Sequence, residues 1–180
     1  MDQGIREATR DEADLLARLI RDAFRTVADR FGFTPETWPK HAAFTPPERI
    51  VQLMDEGFRY FILRQSGRPC GCVALRQISP DPSLPCNARP RAAGRPVEVE
   101  TVHLRHLAVL PPQRGRGLGQ ALLEHAIAEA RWLGACRMTL GIVAHDTPLR
   151  QWYERRGFTA TGTESYDGMP CLVTWMAMTL

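Results

Sequence analysis

Residues 107–126 read LAVLPPQRGRGLGQALLEHA. Gly115, Gly117 and Gly119 fall at alternate positions, with Arg114 and Arg116 set beside them. The apolar run before this turn predicts a strand. After it, Leu118, Ala121, Leu122, Ala126, Ala130 and Leu133 recur at helical spacing, and Gly134 stops the helix. Glycine removes side chains that would hold a ligand away from the backbone. The unpaired amides at a helix start, with the positive end of the helix dipole, form an anion site. Two guanidiniums add charge and forked donors. A diphosphate suits this arrangement. Spacing excludes two other phosphate loops: a dinucleotide fingerprint needs glycine where Gln120 stands, and a Walker loop needs Gly-Lys followed by Ser or Thr.

The whole chain has 180 residues, 44% hydrophobic and 24% charged. A single domain of that size buries on the order of 70% of its unfolded surface, so its core needs neither disulfides nor a structural metal. Disorder-based and fibrous roles are excluded. Lys40 is the one lysine among 23 basic residues, and the net charge is only +3. With acids and bases interspersed, neither a nucleic-acid arm nor a polybasic membrane patch is present. The five cysteines, Cys70, Cys72, Cys86, Cys136 and Cys171, show no metal-like pairing and predict a reduced, cytoplasmic protein. The polar start MDQGIREATRDEADLL lacks the apolar core of a signal peptide, and no apolar run reaches about 18 residues. A soluble, unexported chain is expected.

Around the glycine turn, the pattern predicts a strand at 3–8 and a helix opened by the Thr9/Glu12 capping box. An aromatic-rich loop at 32–47 and a helix to about 56 come next. A hairpin over 58–77 turns at Ser66-Gly67-Arg68. Residues 79–96 hold five prolines and predict a surface loop. A long strand spans 97–109. CRMTLGIVA at 136–144 predicts a strand covered on both faces. A helix over 147–156 and strands near 158–163 and 171–178 complete the order β α α β β β α β α β β. Its natural packing is a mixed sheet flanked by helices.

Arg114, Gly117 and Gly119 form an Arg-x-x-Gly-x-Gly motif after Leu-Ala-Val and before an amphipathic helix. WYERRGF at 152–158 supplies a Tyr-x-x-x-Gly-Phe motif on the helix after the next strand. Together, in this element order, they resemble the GNAT N-acetyltransferase superfamily over most of the chain. The resemblance implies one α/β (α+β) GNAT domain over 1–180. Its twisted, mostly antiparallel sheet would have about seven strands, about four helices and splayed central parallel strands. It also implies acetyl-CoA as co-substrate, no metal, and transfer of the acetyl group to a primary amine of a small molecule by direct attack in a ternary complex.

The resemblance places the pantetheine arm along the backbone of Leu107, Ala108 and Val109, and the diphosphate on the amides of Arg114, Gly115, Arg116, Gly117, Leu118 and Gly119. Tyr153 matches the tyrosine that protonates the departing thiolate; a phenol of ordinary pKa near 10 does so only when held within hydrogen-bond reach. His103 stands where relatives carry a glutamate base, six residues before Val109. Imidazole has the right titration range for the task, with Glu98, Glu100 or a water as alternatives. His106 should fall on the opposite strand face, which argues against chelation by the pair. Asp146 replaces an asparagine that reaches the pantetheine amides, and is equally placed to cap the following helix.

The acceptor is expected to contact the segment between the first helices and the last hairpin. Trp38, His41 and Phe44 lie on the first, and Tyr166, Asp167, Met169 and Trp175 on the second. An aromatic wall with one carboxylate suits a cationic or amphiphilic amine. No cysteine lies in either motif, which leaves an acetyl-cysteine route without support. The departures at His103 and Asp146 keep a non-catalytic acyl-CoA sensor as an alternative. A protein N-terminal or lysine acetyltransferase is a second. Neither nucleic acid nor membrane is an expected partner, and a homodimer is compatible with the resemblance.

Overall fold

The computed structural model describes residues 3–78 and 101–180. Strand β1 (Gln3–Glu7) leads through a 3-10 turn into α1 (Ala13–Phe31). A second such turn, Ala42–Phe44, precedes α2 (Pro47–Asp55). Then come β2 (Arg59–Gln65), β3 (Arg68–Ile78) and β4 (Thr101–Val109), followed by α3 (Leu118–Trp132), β5 (Arg137–Val143), α4 (Thr147–Glu154), β6 (Thr159–Glu164) and β7 (Val173–Thr179). The proline-rich segment and the first residues of the expected 97–109 strand, with Glu98 and Glu100, lie outside the described residues.

Seven strands form one sheet in the order β1-β2-β3-β4-β5-β7-β6. Only β4 and β5 run parallel. The β2–β3 hairpin closes on Ser66 and Gly67, both with positive φ (49° and 74°), which matches the right-handed twist of the flanking strands.

Each sheet face carries its own core. Leu16, Ile20 and Ala23 of α1 and Ile50 and Leu53 of α2 cover Tyr60, Ile62, Cys72 and Ala74. On the other face, Leu118, Leu122 and Leu123 of α3 and Tyr153 of α4 pack on Phe61, Val73, Leu75, Val102 and Leu104. Leu122 is fully buried, so Leu122→Ala costs about 2–5 kcal/mol in lost transfer energy and residual cavity.

The sheet opens at its middle. Parallel pairing of β4 with β5 is confined to Thr101 with Arg137, Val102 with Met138, and His103 with Thr139. On its other edge, β4 pairs Arg105 with Ala74 but Ala108 with Cys72. That register gives β4 one extra residue, a bulge at His106, whose φ is 53°. A bulge bends its strand and strengthens the local twist, so β4 leaves β5 just past His103.

Two expectations differ from the structure. The bulge breaks the alternation of side chains. His106 therefore contacts Tyr60 and Phe24 on the α1/α2 face, the same face on which His103 meets Phe58. Strand β5 is covered on one face only: Met138, Leu140 and Ile142 are buried, but Gly141 is exposed, because the divergence leaves its other face open. Cys70, Cys72 and Cys171 are free thiols.

Candidate active site

Two cavities flank the divergence. The larger, about 680 Å³, runs from the glycine turn between α1 and α4. The smaller, about 360 Å³, lies over the open face of β5. Phe24, Val27, Leu107, Asp146 and Leu149 line both, so the two adjoin at the gap between β4 and β5.

The floor of the larger cavity is backbone. Gly115 and Gly117 adopt φ values of 75° and 78°, and Gly117 is the N-cap of α3. An L-residue in that region loses roughly 1–2 kcal/mol. The amides of residues 115–120 make no backbone hydrogen bond among the described residues. They form a nest at a helix N-terminus, where an anion is favoured. Gly115, Gly117, Leu118, Gly119, Leu107, Ala108, Val109 and Arg114 all line the cavity.

The two arginines of the turn behave differently from expectation. Arg114 donates Nε to the Val109 carbonyl (3.0 Å), one Nη to Thr26 Oγ1 (2.9 Å) and the other to the Ala23 carbonyl (2.6 Å). Its guanidinium braces α1 against the end of β4, contributing charge to the cavity but no free fork. Arg116 donates to Gln113 (3.2 Å) and does not line the cavity.

Two cations that sequence reasoning missed stand there instead. Arg156 lies over the Trp152 ring, 3.8 Å from its centroid, and donates to Gln120 (3.3 Å). Arg30 reaches in from α1. Arg156 sits inside the WYERRGF motif four residues after Trp152, a helical spacing that places both on one face. Arg30 carries no comparable signal.

Asp146 is buried. Its Oδ1 caps α4 through the Leu149 amide (3.2 Å) and receives Arg30 (3.1 Å). The helix-capping role expected for it holds.

The smaller cavity is aromatic and cationic. Trp38, Tyr166 and Trp175 line it together with His41 and Met169; Phe44 and Asp167 do not. Phe44 instead packs on His41, which is held by Phe33 and Trp38 as well. Trp175 Nε1 donates to the Tyr166 hydroxyl (2.7 Å), and that hydroxyl donates to Glu164. Arg105 and Lys40 are also in the wall, and the one carboxylate in it among the described residues is Asp146, already paired with Arg30.

Tyr153 reaches this cavity from α4. Its ring is packed against Trp152 and Phe158, and burial pushes the phenol above its ordinary value. The hydroxyl has no hydrogen-bond partner among the described residues, which leaves its proton available to a ligand.

His103 shares its Nδ1 with Thr139 Oγ1 (3.3 Å) and lies 5.8 Å from the Trp175 ring. Burial, then the fields of Arg105 and Arg76, hold its pKa down at about 4. His106, buried, is held well below its ordinary value by burial and then by Arg105. Arg105 Nε donates to His106 Nε2 (3.3 Å), so His106 Nδ1 carries the proton and donates to the Tyr60 hydroxyl (3.0 Å). Among the described residues, no group of three or more His, Cys, Asp or Glu is arranged to hold a metal. No helix there is long and apolar enough to cross a membrane.

The model of the acetyltransferase (GNAT) family matches residues 16–158, and the chain belongs to that family. An uncharacterized N-acetyltransferase of Methanocaldococcus jannaschii is 27% identical over 154 residues, covering 86% of this chain. The chain spans only 59% of that relative's length. Among solved structures, the PaiA N-acetyltransferase of Thermoplasma acidophilum, in complex with coenzyme A, superimposes with a TM-score of 0.70. It is 15% identical, and all of both chains is covered. The ribosomal-protein-S18-alanine N-acetyltransferase of Escherichia coli also gives 0.70, at 18% identity over 99% of this chain and 94% of that one. At these identities the likeness establishes the fold: seven strands in a mixed sheet with four helices.

Proposed function

We propose that this protein transfers the acetyl group of acetyl-CoA to the primary amine of a small molecule, by direct attack with both substrates bound. The observation that carries this reading is that the two cavities adjoin and share wall residues at the β4–β5 divergence, with Tyr153 in the wall of the smaller one. The fit to coenzyme A rests on the unpaired amides of residues 115–120, ringed by Arg30, Arg114 and Arg156, and on the β4 edge left without a strand partner past His103. When bound, acetyl-CoA supplies an activated acyl group as a thioester.

In this reading the turn amides hold the diphosphate, and Leu107 to Val109 offer backbone groups to the pantetheine arm. The amine nitrogen attacks the carbonyl carbon, the C–N bond forms and the C–S bond breaks. Tyr153 gives its proton to the leaving sulfur. Burial disfavours an ammonium ion, so the acceptor enters the attack as neutral amine.

The size of one shift limits the role of His103. Its pKa of about 4 lies some 6 units below an alkylammonium near 10, so direct abstraction from the resting ammonium would cost roughly 8 kcal/mol. His103 is therefore the acceptor of the proton that nitrogen sheds as the C–N bond forms, when that proton is far more acidic. A cavity of about 360 Å³ has the dimensions of a small-ligand site, which favours a small amine over a protein segment. The deciding experiment mixes the protein and acetyl-CoA with a panel of small amines and follows thiol release. Amine-dependent release is expected; tight coenzyme A binding with no release from any amine would make the protein a sensor.

A further inference from the structure

Among the described residues Arg105 is a guanidinium without an ion-pair partner. It stands between the smaller cavity and a neighbouring one beside α2, lining both. Glu48 is in the wall of the second but makes no ion pair with Arg105, whose one hydrogen bond among the described residues is from Nε to His106. Glu56, the carboxylate whose field reaches it from α2, is already shared by Arg49 and Arg76. Asp146, the carboxylate in the same wall, is held by Arg30. A partly buried cation left unpaired loses hydration without Coulombic return, so its retention here calls for a partner that arrives from solution.

The surroundings fix how that partner would be held. The bulge at His106 puts Arg105 and His106 on one sheet face. Tyr60 holds the imidazole from one side (3.0 Å), and the imidazole holds Nε of Arg105 from the other (3.3 Å). With Nε occupied, the two Nη groups remain, a planar pair whose spacing matches the two oxygens of a carboxylate. Lys40 adds a second positive charge to the wall, while Phe24, Trp38 and Trp175 make the rest apolar.

We infer that the acceptor amine is a small amino-carboxylic acid, its carboxylate gripped by Arg105 and its apolar side chain lying on the aromatic wall. The inference rests on the acetyl-transfer reading and narrows it. It also reverses the expectation of a cationic acceptor, since the cavity holds cations and no free carboxylate among the described residues. His106 is a positioning residue in this arrangement, acting through Arg105.

The test uses the protein unaltered. Free amino acids, each paired with its own α-amide, are offered with acetyl-CoA, and kcat/KM is taken from thiol release. The amide keeps the side chain, loses the anion and carries a less basic amine. The accepted acids should still exceed their amides by about tenfold to a hundredfold, as for loss of a charge-assisted pair. The change of that ratio in the Arg105 variants, where amine basicity is the same, isolates the grip on the anion. In Arg105→Gln and Arg105→Lys that ratio should collapse, fully in the first and in large part in the second, which keeps the charge but not the fork. Amides that react as well as their acids would overturn the inference and leave acetyl transfer standing. An acid preference that persists undiminished in Arg105→Gln would overturn it as well. No release from any acid or amide, with release from a simple amine that carries neither group, would overturn the inference and leave acetyl transfer standing, whereas no release from any amine at all would sink both.

Discussion

Gly141 lies under the indole of Trp175, its cross-strand partner: a Cβ added there would come within 3.3 Å of Trp175 Cζ3 and 3.1 Å of Val173 Cγ1. The absent side chain is what allows the indole to form one wall of the smaller cavity. Gly141→Val should push that ring outward at a stability loss of about 1–3 kcal/mol, the usual range for overpacking. In steady-state kinetics the KM for the amine should rise about tenfold or more, while coenzyme A affinity, set at the other end of the gap, stays within about twofold. A normal amine KM would mean that the cavity over β5 does not receive the acceptor.

Gly117 tests the other end. At φ 78°, Gly117→Ala carries backbone strain of roughly 1–2 kcal/mol and nothing more, since a Cβ there meets no atom within 4 Å. Gly117→Glu carries the same strain and adds a carboxylate beside the amide nest. Calorimetric titration with coenzyme A should show a moderate loss for alanine and a loss of at least about a hundredfold for glutamate, because a second anion competes for the same donors. Equal affinities in the two variants would remove the diphosphate from this turn.

How far the sequence foretold this site depends on how local each cause is. The glycine turn, the strand before it and the helix after it are set by neighbouring residues, and they stand where the pattern put them. So does the Asp146 cap, an interaction spanning three residues. The bulge at His106 left no sign: nothing in Leu104-Arg105-His106-Leu107 marks an inserted residue, and alternation assigned His106 to the wrong face. Arg114 was legible as a cation but not as a brace, because its partners Ala23 and Thr26 come from a helix distant in sequence. The same distance hid Arg30, and hid the open face of β5, which follows from the divergence of two strands and not from the apolar run CRMTLGIVA.

Tyr153→Phe separates chemistry from packing. The hydroxyl makes no hydrogen bond among the described residues, so its removal leaves no protein group unsatisfied and should change unfolding free energy by less than about 1 kcal/mol. If the phenol protonates the leaving thiolate, kcat should fall by about tenfold to a thousandfold with coenzyme A affinity nearly constant. Because burial raises its pKa, Tyr153 keeps its proton throughout the neutral range, and the wild type should show no loss of rate from this group below about pH 10. An unchanged kcat in the phenylalanine variant would reduce Tyr153 to a core residue.

Stability should fall on the acid side through buried imidazoles. His41 is 5% exposed, accepts the Ala43 amide at Nδ1 (3.2 Å) and has its pKa lowered by burial from 6.5 to about 4. Above pH 6.5 it is neutral whether folded or unfolded, and its contribution is intact. Between 6.5 and 4 the unfolded chain binds a proton that the folded one refuses, so stability declines as pH drops, and below 4 the decline stops. The difference sets an upper bound of roughly 3 kcal/mol for this group. His103 and His106 are shifted the same way and steepen the slope. Urea unfolding at several pH values should show that decline in the wild type. His41→Asn, which keeps a side-chain acceptor for the Ala43 amide but does not titrate, should be less stable at pH 7 and have a shallower slope between 6.5 and 4. An equally steep slope in the variant would mean that His41 is protonated in the folded protein at these pH values.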